Sequence, residues 1–323
     1  MSTVSRLPKP LRRLVAALPT EVNTTIRRLA VLSLIGQTVL VVTGGAVRLT
    51  ASGLGCPTWP RCTGDSLVNT PEMGIHGFIE FGNRLLTFVL AAVAAAMLVY
   101  LWNLRKERRD LFLLALGLLA SIPAQAVIGG ITVLTQLNPW VVGLHFLVSM
   151  ALVVLATLMV NRAYGRTGKF MNRVLSPVPG ALSPVMRAVA VFSGIAVMLG
   201  VVVTGAGPHA GDADAPRNGL DWDLFSHIHA VPAYLVTAGT LVAVYTVVRK
   251  RITGPFRTAT FLMLGVTILQ AAIGFTQYYN GIPALLVGAH MLGAALLMAA
   301  STNAADLARY SPIEHGHGQH GQS

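Results

Sequence analysis

The chain is predicted to be an all-α membrane protein of eight transmembrane helices. Hydrophobic residues make up 54% of it and charged residues only 11%, which is typical of integral membrane proteins and unlike soluble domains. A spanning helix needs about 20 mostly apolar residues, and eight stretches meet that need. In chain order, these first to eighth spans are Leu29–Val47, Ile75–Trp102, Leu111–Leu134, Trp140–Val160, Ala188–Gly207, Phe225–Val248, Thr258–Gln277 and Ile282–Ala300.

The basic residues predict the orientation of the spans. The formal net charge is +12, and the Lys and Arg clusters precede the first span or join spans two to three, four to five and six to seven. All of these segments lie on one side of an eight-span topology. The positive-inside rule therefore predicts cytoplasmic N- and C-termini. The charge is explained by topology and by attraction to anionic membrane lipid, so no nucleic-acid partner is expected.

The sequence contains an internal repeat. Gln125-Ala126-Val127-Ile128-Gly129 is followed twenty residues later by Val142-Gly143-Leu144-His145, and Gln270-Ala271-Ala272-Ile273-Gly274 is followed at the same distance by Val287-Gly288-Ala289-His290. We therefore predict two tandem four-helix bundles, which are parallel copies because each has an even number of helices. The expected divisions are a cytoplasmic segment 1–28, an N-terminal half 29–160, a linker 161–187, a C-terminal half 188–304 and a disordered cytoplasmic tail 305–323.

Three histidines fall at one depth in the even-numbered spans. His145, His229 and His290 each lie within the first turns of a span, roughly 8–12 Å below the outer surface. Ionisable side chains inside a membrane are costly and usually functional, and histidines on facing helices of a bundle are typical heme iron ligands. His229 and His290 are the best-matched pair. The alternative is that each histidine only forms a hydrogen bond to a neighbouring helix. His227 points to a different face from His229, and we expect it to be an interface residue rather than a ligand.

The N-terminal half is less regular. The internal repeat supports His145 as a ligand, because His145 corresponds to His290. The position that corresponds to His229 is Asn83, however, and asparagine is a poor iron ligand. His76, Glu80, Asn83 and Arg84 share one helix face, so His76 could substitute as a ligand or lie near a propionate. Glu80 is the only acid in the predicted spans, and a carboxyl group at that depth suits proton transfer. The alternative for Glu80 is a structural ion pair with Arg84.

The remaining polar residues are expected outside the membrane core. Cys56 and Cys62 are the only cysteines and fall in the first outward loop, where an oxidising environment favours a disulfide. Two free thiols, or half of a metal site, are the alternatives. His209 and the acidic segment 212–223 are expected to be solvated. The tail histidines are predicted to be disordered rather than to bind metal; they are His315, His317 and His320.

Two motifs resemble one known family. The segment 44–62, with Gly44-Gly45-Ala46-Val47-Arg48-Leu49-Thr50, Ser52-Gly53-Leu54-Gly55-Cys56-Pro57 and Trp59-Pro60-Arg61-Cys62, is similar to the first outer loop of heme A synthases. Ile79-Glu80-Phe81-Gly82-Asn83-Arg84 resembles their second-helix motif, Glu-x-x-His-Arg. The resemblance implies an oxidoreductase that converts the C8 methyl group of heme O to a formyl group, through a gem-diol, and so supplies heme A to cytochrome c oxidase.

The resemblance also implies roles for particular residues. His229 and His290 would hold a heme b cofactor, and Glu80 would be the catalytic carboxylate. The chain departs from the family pattern at Asn83, where a histidine is usual, and at Ala230, where an arginine is common. The substrate heme site is then expected to consist of His145 as the iron ligand, with His76, Asn83, Arg84 and Arg48.

Two other functions are alternatives to the heme A synthase interpretation. One is a two-heme b-type electron carrier linked to quinol, and the other is a heme transporter or chaperone. The expected location is the cell membrane, with the heme sites toward the extracytoplasmic side. Besides heme O and lipid, heme O synthase (protoheme farnesyltransferase) and cytochrome oxidase assembly factors are the expected partners.

Overall fold

The computed structural model describes residues 8–169 and 178–309, and its regular elements there are all helical. Eight of the helices in these two ranges are long and apolar enough to cross a membrane, which confirms the predicted class of multi-pass helical membrane protein. In chain order the helices are α1 (Lys9–Ala16), α2 (Thr24–Leu49), α3 (Gly74–Tyr100), α4 (Arg109–Leu134), α5 (Pro139–Ala163), α6 (Leu182–Ala206), α7 (Trp222–Arg249), α8 (Pro255–Tyr279) and α9 (Ala284–Arg309).

Several helices begin at a polar capping residue that precedes the apolar sequence. The side chain of Asn23 accepts a hydrogen bond from the Ile26 N–H at the start of α2. Asp221 does the same for Leu224 at the start of α7. Such caps satisfy backbone donors that have no partner within the helix. Seven of the eight spanning helices are longer than the predicted spans, which were delimited by apolar residues alone; α3 is one residue shorter than its predicted span.

The spanning helices pack as two neighbouring groups of four. In the first group α2 contacts α3 and α5, and α4 contacts the same two helices; in the second, α6 contacts α7 and α9, and α8 contacts these two. The groups meet where α9 contacts both α2 and α5, and where α5 contacts α6. Each group is thus a closed ring of four helices with an interior of its own.

The apolar cores lie toward one end of the rings. We call this the basic end, where α2, α4, α6 and α8 begin, and the opposite end the disulfide end. Large buried side chains fill both rings near the basic end, and a third cluster joins the two rings through Val41, Val153 and Ala295. The basic-end clusters include Ile26, Met97, Leu111 and Met159 in the first ring and Met186, Val236, Met263 and Leu307 in the second.

A buried ion pair joins the two rings at the basic end. Asp306 accepts hydrogen bonds from the Arg162 guanidinium at 2.8 and 3.1 Å, from Asn161 at 3.0 Å and from the Thr167 hydroxyl at 2.7 Å. Residues 305–309 therefore belong to α9 rather than to the tail expected from residue 305 onward. The rest of that tail, with His315, His317 and His320, lies outside the described residues, as do linker residues 170–177 and residues 1–7.

The loops of the two rings pack against each other at the disulfide end. The Gly53 N–H donates to the Gly211 carbonyl at 2.9 Å, and Leu137 packs with the buried residues Ala210 and Ala215. His209 lies within hydrogen-bonding distance of the Ile282 carbonyl, at 2.9 Å. His209 is half-buried, and Ala210 and Gly211 are buried, so the expectation of a solvated loop was wrong for these three residues; Asp214 and Asp223 of the acidic segment are exposed, as expected.

Candidate functional site

Two histidines face each other inside the second ring. The imidazoles of His229 on α7 and His290 on α9 have ring centres 6.3 Å apart, with their planes at 74°. An imidazole nitrogen lies about 2 Å from a bound first-row metal, and its ring centre lies about 1 Å further. Two imidazoles on opposite sides of one iron thus have centres about 6 Å apart. The spacing of this pair fits six-coordinate heme iron.

The surroundings of His229 also suit a metal ligand. Its Nδ1 lies 2.8 Å from the Ala196 carbonyl on α6, and a carbonyl can only accept, so Nδ1 carries the proton. Metal-binding histidines usually donate the second ring N–H in this way, which leaves Nε2 unprotonated. A Cβ built on Gly200 would lie 3.1 Å from the His229 Cε1. The glycine therefore lets the ring lie against the α6 backbone.

His290 is seated in a similar way on α8. A Cβ built on Gly274 would lie 3.4 Å from its Cε1, and its Nδ1 is buried without a hydrogen-bond partner among the described residues. The facing imidazoles, the two glycine seats and the proton on the His229 Nδ1 together fit a b-type heme. The residues that would hold it are His229 and His290.

The first ring repeats part of this arrangement around His145. A Cβ built on Gly129 would lie 3.3 Å from the His145 Cε1, so α4 seats His145 as α8 seats His290. Asn83, at the position that corresponds to His229, accepts a hydrogen bond from the Thr43 hydroxyl on α2 at 2.7 Å. His145 thus lies against α4 as His290 lies against α8, whereas the side chain of Asn83 is bound to α2.

Glu80 connects α3 to the disulfide loop. Its carboxylate accepts a hydrogen bond from the Arg84 guanidinium at 2.5 Å and another from the backbone N–H of Cys56 at 2.7 Å. Arg84 also reaches the carbonyls of Cys56 and Thr58, at 3.3 and 3.4 Å. The ion pair considered as the alternative for Glu80 is therefore present. The disulfide between Cys56 and Cys62 is confirmed, and Glu80 lies directly against its loop.

Two other predicted site residues, His76 and Arg48, bind groups at the disulfide end. The Nδ1 of His76 is 2.9 Å from the Ser52 hydroxyl. Arg48, expected near the substrate heme, donates to the carbonyls of His209 and Thr204, at 2.5 and 2.9 Å. Both of these carbonyls belong to the second half of the chain. Arg48 therefore joins the two halves, and nothing in the sequence around it indicated this partner.

His227 is separate from the imidazole pair, as predicted. It is exposed, its Nδ1 lies 2.9 Å from the Asp223 carbonyl, and its ring meets Tyr278 edge-on.

Two features of the site were not predicted from the sequence. They are the glycines against which the imidazoles lie, which we call the glycine seats, and the Ala196 carbonyl that fixes the His229 Nδ1. A glycine on a neighbouring helix at the depth of each histidine was the available signal for the seats.

Fold and site define a multi-pass helical membrane protein whose second ring contains a histidine pair suited to heme iron. The chain belongs to the COX15-CtaA family, described as cytochrome oxidase assembly protein, whose family model matches residues 27–302. Among curated relatives, the heme A synthases of Listeria welshimeri and Listeria monocytogenes are 28% and 29% identical to it over 283 residues, which is 84% of this chain and 91% of each relative. The heme A synthase of Staphylococcus epidermidis is 27% identical over 294 residues, or 81% of this chain and 94% of the relative.

Proposed function

We propose that this protein is a heme A synthase, which oxidises the C8 methyl group of heme O to a formyl group. The observation that carries the proposal is the facing pair His229 and His290, 6.3 Å between ring centres, beside a second histidine site in the other ring. Membership of the family and the names of the curated relatives support it. The apolar, farnesylated substrate also accounts for a site placed within membrane-spanning helices.

In this proposal the second ring holds heme b. His229 and His290 would bind its iron, and the bound heme would supply one-electron redox chemistry. The Ala196 carbonyl keeps the proton on the His229 Nδ1, which directs the lone pair of Nε2 toward the ring interior. Gly200 lets the His229 imidazole lie close to the α6 backbone, where a Cβ would be 3.1 Å from its Cε1, and the His290 imidazole lies in ordinary contact with Gly274.

The first ring takes the substrate. His145 binds the iron of heme O from one side, and Asn83 faces it with an amide that does not coordinate iron. Glu80 is the catalytic carboxylate and exchanges protons as the methyl carbon is oxidised. Arg84 and the Cys56 N–H hold that carboxylate in place. His76 lies nearer the disulfide end, where a propionate group is the part of the substrate it can meet.

The two competing functions fit fewer observations. A two-heme electron carrier needs four axial ligands, and Asn83 leaves the first ring with one ligand fewer. A heme transporter needs no buried carboxylate such as Glu80. We further propose that the chain lies in the cell membrane, with cytoplasmic termini at the basic end and heme O synthase and oxidase assembly factors as its partners.

Heme analysis of the purified protein tests the proposal. Pyridine hemochrome spectra, followed by extraction and chromatography, should show stable heme b together with heme O or heme A, whereas two equivalents of heme b would indicate the carrier. Replacing His229 or His290 with Ala should remove most of the heme b, because the iron loses one of two axial bonds. The ligand assignment is wrong if both variants keep a wild-type heme b spectrum.

The Asn83→His variant tests the substrate half separately. If Asn83 leaves one side of the substrate iron open, a histidine there should convert bound heme O to a six-coordinate, low-spin spectrum and slow turnover. Heme b in the second ring should be unaffected. An unchanged high-spin spectrum of the substrate heme, together with normal turnover, would contradict this role of Asn83.

A further inference from the structure

A cavity of about 480 Å³ lies at the basic end of the first ring, between the α3–α4 loop and the first turns of α4. Its volume is within the range of small-ligand sites, roughly 300–1,000 Å³. Its lining residues are Arg105 and Lys106 of the loop and Arg109, Phe112 and Leu113 of α4. Gly129, which contacts the His145 ring, lies roughly 30 Å further along α4. The cavity is therefore separate from the predicted heme ligands.

The positive charge of this cavity is not neutralised by neighbouring acids. Among residues 8–169 and 178–309, no carboxylate forms an ion pair with any of the three lining cations. Asp110, the acid in the first turn of α4, is paired with Arg108 instead, at 3.2 Å. Glu107 is exposed and does not line the cavity. The three cations are thus available to an anionic ligand.

Trp102 orients one of these cations. The guanidinium of Arg105 lies over the Trp102 ring, 4.9 Å from its centre, and donates a hydrogen bond to the Trp102 carbonyl at 2.5 Å. A guanidinium has five N–H donors, so the remaining ones can bind phosphate oxygens. Trp102 is 43% exposed, and tryptophans are enriched at the membrane–water interface. The cavity therefore lies at the depth of lipid headgroups.

The apolar wall of the cavity continues along the lipid-facing surface of α4. Arg109, Phe112, Leu113 and Leu116 follow each other at the three- and four-residue spacing of one helix face. The side chains of Leu113 and Leu116 are 50% and 43% exposed. Cations next to an exposed apolar surface match a phosphate group that is joined to acyl chains. A soluble phosphate has no use for the apolar surface.

The corresponding place in the second ring has the charges without the apolar wall. The α7–α8 loop also carries three consecutive basic residues, at positions 249–251, and all three are exposed. In the register that aligns Gln125 with Gln270, however, Arg257 and Thr258 replace the two apolar lining residues of α4. The combination of cations and apolar wall thus belongs to the first ring, and the second ring offers a matched control.

We propose that this cavity binds the headgroup of an anionic phospholipid from the surrounding bilayer. In this inference Arg105, Lys106 and Arg109 bind the phosphate, and an acyl chain lies along Leu113 and Leu116. Basic pockets beside membrane-spanning helices recognise anionic lipid headgroups in this way. The inference does not rest on the proposed function, because none of these residues belongs to the candidate heme sites.

The test measures lipid binding to the full-length protein in a mild detergent. Native mass spectrometry counts the lipids that stay bound during titration with dioleoyl phosphatidylglycerol or, for comparison, dioleoyl phosphatidylcholine. The site variant combines Arg105→Gln, Lys106→Gln and Arg109→Gln. A control variant removes the same charge from the basic end of the second ring; it combines Arg249→Gln, Lys250→Gln and Arg251→Gln.

The wild type should bind phosphatidylglycerol more tightly than phosphatidylcholine. The site variant should bind phosphatidylglycerol at least about tenfold more weakly than the wild type, and the control variant should match the wild type. Equal weakening in both variants would show a general attraction to basic surface and would overturn the inference, as would a wild type that binds both lipids equally. Soluble glycerol 3-phosphate should not displace the lipid, and binding as tight as that of the lipid would assign the cavity to a soluble phosphate instead.

A second pair of variants keeps all three cations, in case their loss prevents correct insertion of the chain. Leu113→Glu places a carboxylate four residues after Arg109, a spacing at which two side chains pair on a helix, so phosphatidylglycerol binding should again weaken. Thr258→Glu makes the same change of charge at the corresponding place in the second ring and should match the wild type. Unchanged phosphatidylglycerol binding by Leu113→Glu would overturn the inference.

Discussion

Glu80→Gln should stop the formation of heme A without removing heme b. The wild-type carboxylate accepts hydrogen bonds from the Arg84 guanidinium at 2.5 Å and the Cys56 N–H at 2.7 Å. A glutamine of the same shape has one accepting oxygen and one donating NH₂ group. In either orientation of the amide, its NH₂ group faces the Arg84 guanidinium or the Cys56 N–H, so one of the two hydrogen bonds is lost.

The structural cost of this change is moderate. A hydrogen bond to a charged group contributes about 1.5–3 kcal/mol, but Arg84 is 23% exposed and can turn toward water, which reduces the loss. We therefore expect a decrease in unfolding free energy of about 1–2 kcal/mol, which leaves the protein folded. The catalytic loss should be larger, because a positioned acid or base contributes about 10²–10⁴-fold to a rate.

The assay measures extracted heme A and bound heme b in the same preparation. Glu80→Gln should contain near-wild-type heme b and at least about 100-fold less heme A. The control is the double variant Cys56→Ser, Cys62→Ser, which loosens the loop next to Glu80 and keeps the carboxylate. Normal heme A output from Glu80→Gln would refute the catalytic role. An equal loss in the double serine variant would assign the effect to the position of the loop.

Three other predictions follow from the described contacts. Cys56 and Cys62 should resist thiol labelling in native membranes until they are reduced, and losing their short closed loop should cost about 2–3 kcal/mol of stability; labelling without reductant would contradict this. Gly200→Ala should shift the heme b absorption and EPR spectra, because its Cβ would lie 3.1 Å from the ligand imidazole. Gly194→Ala on the same helix meets no atom within 4 Å and should match the wild type, so equal spectra for the two variants would count against the seat. Asp306→Ala should lower the unfolding free energy in detergent by about 3–5 kcal/mol, since it removes the buried carboxylate that Arg162, Asn161 and Thr167 all bind, and a loss below about 1 kcal/mol would contradict a stabilising role of this ion pair.

The spanning helices were predictable because the membrane imposes a local requirement. Twenty apolar residues identify a span wherever it packs, so all eight were found from the sequence. Helix ends were less accurate, because caps such as Asn23 and Asp221 are polar. The end of α9 was misjudged for a different reason. Asp306 follows several polar residues and resembles the start of a tail, but its partner Arg162 lies 144 residues away in the sequence.

The site was predictable only as far as it repeats. The spacing from glutamine to histidine identified His145 and His290, and the corresponding position in the sixth span identified His229. The Ala196 carbonyl was not predictable, since every residue carries a carbonyl and only the packing of α6 against α7 selects this one. The partners of Arg48 were missed for the same reason, because they lie in the other half of the chain.

A difference of one residue between the two rings suggests how a duplicated scaffold can hold one heme and release another. Where α7 carries His229, fixed by a carbonyl and facing a second imidazole, α3 carries Asn83, whose side chain is bound to Thr43. In the proposed function the cofactor heme is then held by two protein bonds to iron, and the substrate heme by one, from His145. Each axial bond must break before a heme leaves, so the ring with a single ligand is suited to exchange of substrate and product. The ring with two ligands is suited to a cofactor that stays bound through many turnovers.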